Sequence, residues 1–265
     1  MKYTYTDLAK MIDHSLLHPT MTDQELDEGC RLAAQYGVAS VCIKPYAVRR
    51  AVELLQGKNV LVGCVIGFPH GNSATESKRY ETELACQDGA VEIDMVINIG
   101  KALSGDWGHV ERDIAAVCEE AHKHGAKVKV IFENDYLAQG GASLSSDDFK
   151  RRLCQICEVA GADWVKTSTG YGFVKGPDGK YSYQGATEHD LKLMRVACSA
   201  KVQIKAAGGI RTLDDLLMVR ELGVSRVGAT ATAAILEEAR RRGFGSEALA
   251  VAGKARSSLA STSEY

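Results

Sequence analysis

The sequence contains no long apolar run and no cluster of basic residues. No apolar stretch approaches the about 18 residues that a membrane-spanning helix needs, and residues 1–11 lack the apolar core of a secretory signal. Lysine and arginine are scattered, and acidic residues balance them to a formal net charge of -2. We therefore expect a soluble, cytoplasmic protein that binds neither nucleic acid nor membrane.

A linker and a shift in composition are also absent. The 265 residues could form one large core or two small ones, and α/β barrels often reach this length as one domain. We therefore predict a single domain over residues 1–265. Residues 1–10 are predicted to form a short extra helix at one end, and residues 253–265, which are polar, a flexible tail.

Eight cysteines are present, but most are scattered singly through apolar segments instead of forming a disulfide framework. This distribution is typical of buried thiols in a reducing compartment. Cys154 and Cys157 form the one close pair, and no second pair follows at the spacing of a zinc site. The sequence therefore predicts no metal site.

One sequence pattern recurs along the chain: a helical segment, a glycine, and a small or β-branched residue before a strand. It occurs at Gly37, Gly89, Gly125, Gly161 and Gly223, and glycine ends a helix because it adopts the left-handed conformation without a Cβ clash. Strands are predicted near residues 12–17, 40–44, 60–66, 91–97, 127–133, 163–168, 202–207 and 225–229. Helices are predicted near residues 22–36, 45–56, 74–88, 104–124, 146–160, 187–198, 212–222 and 231–242. This alternation predicts an α/β fold, a (β/α)8 TIM barrel.

The connection after the sixth strand, residues 171–186, is longer than the about 2–6 residues of an ordinary βα loop. Gly176 to Gly179 lies between two short β-like runs, which predicts a small hairpin. Active sites of barrels lie at the carboxyl ends of the strands, so this segment is either a lid over the site or a tolerated insertion.

Charged side chains are predicted to point into the barrel. Side chains alternate along a strand, which sends Asp94, Lys129, Lys166 and Lys205 inward from four strands, at similar depth. A single lysine of this kind could reach solvent from an edge strand. Three lysines and an aspartate in one lumen are costly to bury, which indicates a functional site.

This set of residues suits Schiff-base chemistry. A lysine attacks a carbonyl only as a free amine, so its pKa must fall from about 10.4 toward about 7. Burial and a second ammonium both lower it, and Lys205, on the strand next to Lys166, is placed to be that cation. Asp94 is then the carboxylate that moves protons, directly or through a water. Such a reaction requires neither a metal nor a cofactor.

Three charged motifs resemble those of the deoxyribose-phosphate aldolase family of class I aldolases. They are Glu92–Asn98 around Asp94, Val165–Gly170 around Lys166, and Lys205–Arg211. Further matches are Ile12–Leu17, Ser40–Ile43 and Val65–Pro69, in the same order along the chain. The resemblance implies that Lys166 forms the Schiff base, Lys205 lowers its pKa and Asp94 relays protons. It implies reversible cleavage of 2-deoxyribose 5-phosphate, a sugar phosphate, into glyceraldehyde 3-phosphate and acetaldehyde.

The substrate-binding residues are predicted at the mouth of the barrel. Gly208 and Gly209 after the seventh strand, and Gly228 and Thr230 before the last helix, fit a phosphate site of backbone N–H groups. Further candidates lining the lumen or its mouth are Asp13, Cys42 and Lys129, although Cys42 could equally serve packing.

The sequence departs from the family at three positions. Thr230-Ala231 stands where a serine pair is more usual, Tyr171 where some members have a lysine, and His70 where leucine is more usual. Two alternatives therefore stay open: a related class I aldolase for a different or unphosphorylated hydroxyaldehyde, and a barrel that binds a sugar phosphate without turnover. The oligomeric state also stays open, a homo-oligomer being one alternative.

Overall fold

The structure, a computed structural model, describes residues 3–138 and 144–245. Parallel strands close into a barrel in the order β1-β2-β3-β4-β5-β6-β9-β10, and β10 pairs with β1. These strands are β1 (Ile12–Leu16), β2 (Ser40–Ile43), β3 (Leu61–Ile66), β4 (Glu92–Val96), β5 (Lys127–Ile131), β6 (Trp164–Lys166), β9 (Gln203–Ala207) and β10 (Val224–Ala229). The predicted (β/α)8 barrel is confirmed.

Helices surround the barrel. They are α1 (Tyr5–Ala9), α2 (Asp23–Tyr36), α3 (Val48–Leu55), α4 (Thr75–Gln87), α5 (Ile99–Leu103), α6 (Trp107–Lys123), α7 (Asn134–Leu137), α8 (Ser146–Ala160), α9 (Glu188–Ala197), α10 (Leu213–Glu221) and α11 (Thr232–Arg241). A 3-10 turn, Pro45–Ala47, precedes α3. Within the described part of the chain, no helix is both long enough and apolar enough to cross a membrane.

The helix predicted near residues 104–124 corresponds to α6, and the short helix α5 that precedes it was not predicted. Gly105, with a φ of 74°, separates them. Asn98 caps α5 by accepting a hydrogen bond from the Lys101 amide, and Asp106 caps α6 in the same way with the His109 amide. Each short polar side chain starts its own helix, which is why one continuous helix does not form.

The predicted hairpin after β6 is confirmed. Its strands β7 (Val174–Lys175) and β8 (Tyr181–Ser182) pair antiparallel and stand apart from the barrel. At the other end of the chain, α1 falls within the predicted extra helix, and the Tyr5 amide donates to the Gly245 carbonyl at 3.1 Å. The predicted tail, residues 253–265, lies outside the described residues.

The strands alternate between the helix layer and the lumen as their sequence pattern predicts. Ile93 and Met95 of β4 are fully buried in the apolar core that the helices share with the barrel. Glu92 and Asp94 of the same strand point the other way, into the lumen, where they meet basic side chains. The lumen is therefore filled by charged groups in place of the usual branched apolar layers.

Candidate active site

Three charged side chains meet near the carboxyl ends of β4, β6 and β9. Lys166 and Lys205 occupy paired positions on adjacent strands, and the Nζ atom of each donates to Asp94 Oδ2 at 2.7 Å. Lys166 is 3% exposed, while Lys205 and Asp94 are fully buried. The structure thus brings together the three residues predicted to be catalytic.

The two lysines differ in their other partners. Asp13 Oδ2 lies 2.6 Å from Lys205 Nζ, so that ammonium is paired with two carboxylates. Among the described residues, Asp94 is the one carboxylate in an ion pair with Lys166. A lysine that serves two carboxylates in a buried site holds its proton more tightly than a lysine that serves one.

The pKa values follow this difference. Burial lowers the pKa of Lys166, the Asp94 carboxylate opposes that change, and the Lys205 ammonium lowers the pKa further. Burial also acts to lower the pKa of Lys205, but Asp13 and Asp94 outweigh it and raise the value. Burial acts to raise the pKa of Asp94, and the surrounding lysines, Lys129 first, hold it well below the ordinary range. Lys166 is therefore the group poised to lose its proton.

A second charged layer, built around Asp13 and Glu92, lies beneath Lys166. Lys129 Nζ donates to Asp13 at 2.8 Å and to Glu92 at 2.5 Å, and it lies 3.3 Å from Asp94 Oδ1. Arg226 completes this layer with hydrogen bonds of 2.5 Å to Asp13 and 2.7 Å to Glu92.

The prediction that Lys129 lies at the depth of the other lysines is wrong. The register pairs Lys129 with Asp94 on β4 and with Trp164 on β6, two residues before Lys166. Lys129 therefore shares the level of Asp94 and sits two residues nearer the amino ends of the strands than Lys166. The strands of a barrel are tilted and staggered, and inward-facing residues on neighbouring strands therefore need not share a layer.

A cavity of about 520 Å³ opens above the lysines at the carboxyl ends of the strands. Of the predicted site residues, those lining it are Cys42, Lys166, Lys205, Gly208, Gly209, Gly228 and Thr230. The lining does not include Asp13, Lys129 or Asp94, which are fully buried beneath it. The placement of Asp13 and Lys129 does not support direct substrate contact; Asp13 pairs with Lys205, and Lys129 with Asp94.

Cys42 stands on the cavity wall but belongs to a small apolar cluster with Leu17 and Val65. Burial raises the pKa of its thiol to about 11. The side chain of Cys42 therefore stays protonated at neutral pH and packs on two aliphatic side chains, which agrees with a packing role.

The far end of the cavity is made largely of backbone. Gly208 and Gly209 have φ values of 87° and 86°, a conformation that residues with a Cβ rarely adopt, so this turn depends on glycine. Thr230, just before α11, and Arg211 line the same cavity. Backbone N–H groups and a helix N-terminus at one end of a cavity favour an anionic group there.

Two charged residues beside the site were not among the predicted site residues. Arg226 shares the inward face of β10 with Gly228, and strict alternation from that glycine would have found it. Glu133 is buried with a φ of 58°, and its carboxylate accepts hydrogen bonds from the Thr169 amide, at 3.1 Å, and from the Thr169 hydroxyl. Burial raises the pKa of Glu133. Its left-handed backbone leaves no recognisable signal in the sequence.

Comparison with known proteins identifies close relatives. A family model described as DeoC/LacD family aldolase matches residues 8–237. A deoxyribose-phosphate aldolase of Rhodopirellula baltica is 50% identical over 240 residues, 91% of this chain and 92% of that protein. Another, of Thermococcus gammatolerans, is 44% identical over 236 residues, 88% of this chain and 97% of that protein. The tetrameric deoxyribose phosphate aldolase of Aeropyrum pernix has a similar structure, with a TM-score of 0.76 and 28% identity, covering 89% of this chain and 92% of that one.

Proposed function

The chain belongs to the DeoC/LacD family of aldolases, and from this premise we propose which residues carry out the reaction and on which substrate. The activity is that of a lyase of the deoxyribose-phosphate aldolase type, as the motif resemblance predicted. It cleaves 2-deoxy-D-ribose 5-phosphate reversibly to D-glyceraldehyde 3-phosphate and acetaldehyde, with Lys166 as the amine that binds the substrate carbon.

The unequal pairing of Lys166 and Lys205 supports this assignment. Three lumen carboxylates, Asp13, Glu92 and Asp94, are matched by three cations other than Lys166, which are Lys129, Lys205 and Arg226. The network of these ion pairs is thus electrically balanced when Lys166 is a neutral amine. A neutral amine is the form that attacks an aldehyde.

The steps follow from the geometry. The Lys166 amine adds to the C1 aldehyde of the open-chain sugar, and loss of water gives an iminium that withdraws electrons. Removal of the C3 hydroxyl proton lets the C2–C3 bond break, which releases C3 to C5 as D-glyceraldehyde 3-phosphate and leaves C1 and C2 on Lys166 as an enamine. Because Asp94 lies beneath the two lysine amines, that proton reaches it through a lysine or a water. The remaining enamine is protonated and hydrolysed to acetaldehyde and the free amine.

We place the phosphate at the far end of the cavity. The amides of Gly208 and Gly209 and the N-terminus of α11 offer backbone donors there, with Thr230 adding a hydroxyl. A second candidate substrate is an unphosphorylated hydroxyaldehyde. The apolar rim of Tyr171, Phe173 and Tyr183 on the same cavity favours it.

The chain is also proposed to form a homo-oligomer, on the strength of the tetrameric relative. Its mass in solution, measured by light scattering, tests this: a monomer at micromolar concentration would contradict it.

Trapping with borohydride tests the proposed function. Acetaldehyde and borohydride together should add one ethyl group to Lys166, located by peptide mass spectrometry, and should inactivate the enzyme. Lys166→Met should abolish both the label and the cleavage, whereas Lys127→Met, at the exposed end of β5, should leave both intact. A label on Lys205 with Lys166 unmodified would contradict the assignment. Absence of any label would contradict Schiff-base catalysis.

A further inference from the structure

The segment of residues 171–186, here called the hairpin segment, forms one wall of the cavity. Tyr171, Phe173 and Tyr183 from this segment line the cavity beside the Gly208–Gly209 turn. The rings of Phe173 and Tyr183 pack edge to face with centroids 5.1 Å apart. The segment is therefore part of the substrate site and not a detached insertion.

A single carboxylate binds the C-terminal end of this segment, residues 184–186, here called the hairpin base. Asp135, in α7 just after β5, accepts a hydrogen bond from the Gln184 amide at 2.6 Å with Oδ1 and one from the Gly185 amide at 3.0 Å with Oδ2. Two consecutive backbone donors on the two oxygens of one carboxylate fix both the position and the orientation of the base.

The base in turn rests on the Gly208–Gly209 turn. The Ala186 amide donates to the Gly208 carbonyl at 3.1 Å. A Cβ added at Gly185 would come within 2.8 Å of Gly208 Cα, and a Cβ added at Gly208 would come within 2.9 Å of Gly185 Cα. The two backbones therefore touch directly, and a shift of residues 184–186 must move the turn.

The other end of the segment is held separately. Glu133 binds Thr169, and the Thr169 hydroxyl accepts a hydrogen bond from the Tyr171 amide at 2.9 Å. Loss of Asp135 would therefore release the base while the start of the segment stays attached next to Lys166. The effect of Asp135 is confined to the far end of the cavity.

On the premise of the proposed function, we infer that Asp135 is a positioning residue for recognition of the anionic end of the substrate. It acts through the hairpin base on the Gly208–Gly209 turn and touches neither the substrate nor the reacting atoms. The chemistry at Lys166 is independent of it.

Asp135→Ala tests this inference, with Asp178→Ala as the matched control. Asp178 caps the tip of the same hairpin, where its Oδ1 accepts from the Lys180 amide at 3.1 Å. Asp135→Ala should raise KM for the phosphorylated sugar and lower the kcat/KM preference for it over deoxyribose by about tenfold. The kcat should change little, and acetaldehyde trapping on Lys166 should be unchanged. Asp135→Asn keeps one acceptor oxygen and should give a smaller effect, while Asp178→Ala should resemble the wild type.

A second variant and a second measurement keep the outcome decisive. Gly185→Ala strains a residue with a φ of 71° and pushes on Gly208, so it should reproduce the loss of preference from the opposite side. Amide hydrogen exchange of Asp135→Ala should increase in residues 180–187 and also in residues 203–212. Equal losses on both sugars, an unchanged preference, or exchange confined to residues 180–187 would overturn the inference. If the wild type traps no acetaldehyde, the proposed function fails, and hydrogen exchange still tests the link between the two segments.

Discussion

Lys166 and Lys205 donate to the same oxygen of Asp94 at the same distance of 2.7 Å, yet their pKa values shift in opposite directions. The difference lies in Asp13, which pairs with Lys205 at 2.6 Å. Asp13 thereby favours the ammonium form of Lys205, while Lys166 loses its proton more readily. Asp13, in the lower charged layer, therefore contributes to the difference in pKa between Lys166 and Lys205.

Lys205→Met should move the activity of the enzyme to higher pH. The free amine of Lys166 is the reactive form, so kcat/KM rises as the pH passes the pKa of Lys166. Removing the Lys205 ammonium removes a cation that lowers that pKa and also removes the second donor to Asp94 Oδ2, and both changes raise the pKa of Lys166. The rising limb should shift upward by about one unit or more. Lys127→Met removes an exposed lysine and should leave the profile in place; an unshifted profile in Lys205→Met would exclude the electrostatic role.

Asp94→Asn should separate imine formation from turnover. Asparagine keeps the shape and an acceptor oxygen for the two lysines, but it cannot take up a proton. We expect kcat to fall by about 10²–10⁴-fold, the usual contribution of a general acid–base group. Acetaldehyde and borohydride should still label Lys166. Turnover close to that of the wild type would remove Asp94 from the proton path, and loss of the label would show that Asp94 is needed for imine formation itself.

The sequence predicted the barrel and the convergence of Asp94, Lys166 and Lys205 because both depend on local patterns. Glycine stops and the alternation of strands and helices gave the elements, and alternation within β4, β6 and β9 turned Asp94, Lys166 and Lys205 inward. The site depends on charges on an inward face where apolar residues are expected. Charged residues at positions where apolar ones are expected can be recognised from the sequence alone.

Local sequence patterns could predict neither the depth of Lys129 in the barrel nor the hydrogen bonds of Asp135 to the hairpin base. Depth depends on the register between β5 and β6, which the tilt of the closed barrel determines and no residue of either strand encodes. Asp135 binds backbone amides 49 and 50 positions away, and any sequence could supply those donors. Contacts between a side chain and a distant backbone group produce no recognisable pattern in the sequence.

His14 should make the protein less stable in mild acid. This buried histidine lies on β1 with Nδ1 at 2.8 Å from Thr232 Oγ1, and burial lowers its pKa to about 4. The unfolded chain takes up the proton near pH 6.5, so the full stabilisation is present above that pH. It is lost as the pH falls toward about 4, at a cost of about 3 kcal/mol.

Urea unfolding of the wild type and of His14→Asn at a series of pH values would measure this loss. Asparagine can place a hydrogen-bonding group near the position of Nδ1 but does not titrate. The difference between the two unfolding free energies should therefore shrink between about pH 6.5 and about pH 4. His70→Asn changes an exposed histidine and serves as the control for the substitution itself. A constant difference across this range would show that His14 does not titrate as its burial implies.

Gly209→Asp should reduce the preference for the phosphorylated sugar. We propose that the phosphate binds the Gly208 and Gly209 amides and the N-terminus of α11, and two charge-assisted hydrogen bonds of about 1.5–3 kcal/mol each would favour the phosphorylated sugar by 10²-fold or more. Ala231 provides no hydroxyl beside Thr230, so the margin should be narrower than in relatives with a serine pair.

The measurement is the ratio of kcat/KM for deoxyribose 5-phosphate to that for deoxyribose in the wild type, Gly209→Asp and Gly209→Asn. Both variants place a side chain on a residue with a φ of 86°, and asparagine matches the size of aspartate without its charge. A ratio that falls much further in Gly209→Asp than in Gly209→Asn would isolate repulsion of the phosphate from backbone strain. A wild-type ratio near one would instead favour the unphosphorylated hydroxyaldehyde. Equal ratios in the two variants would place the phosphate away from this turn.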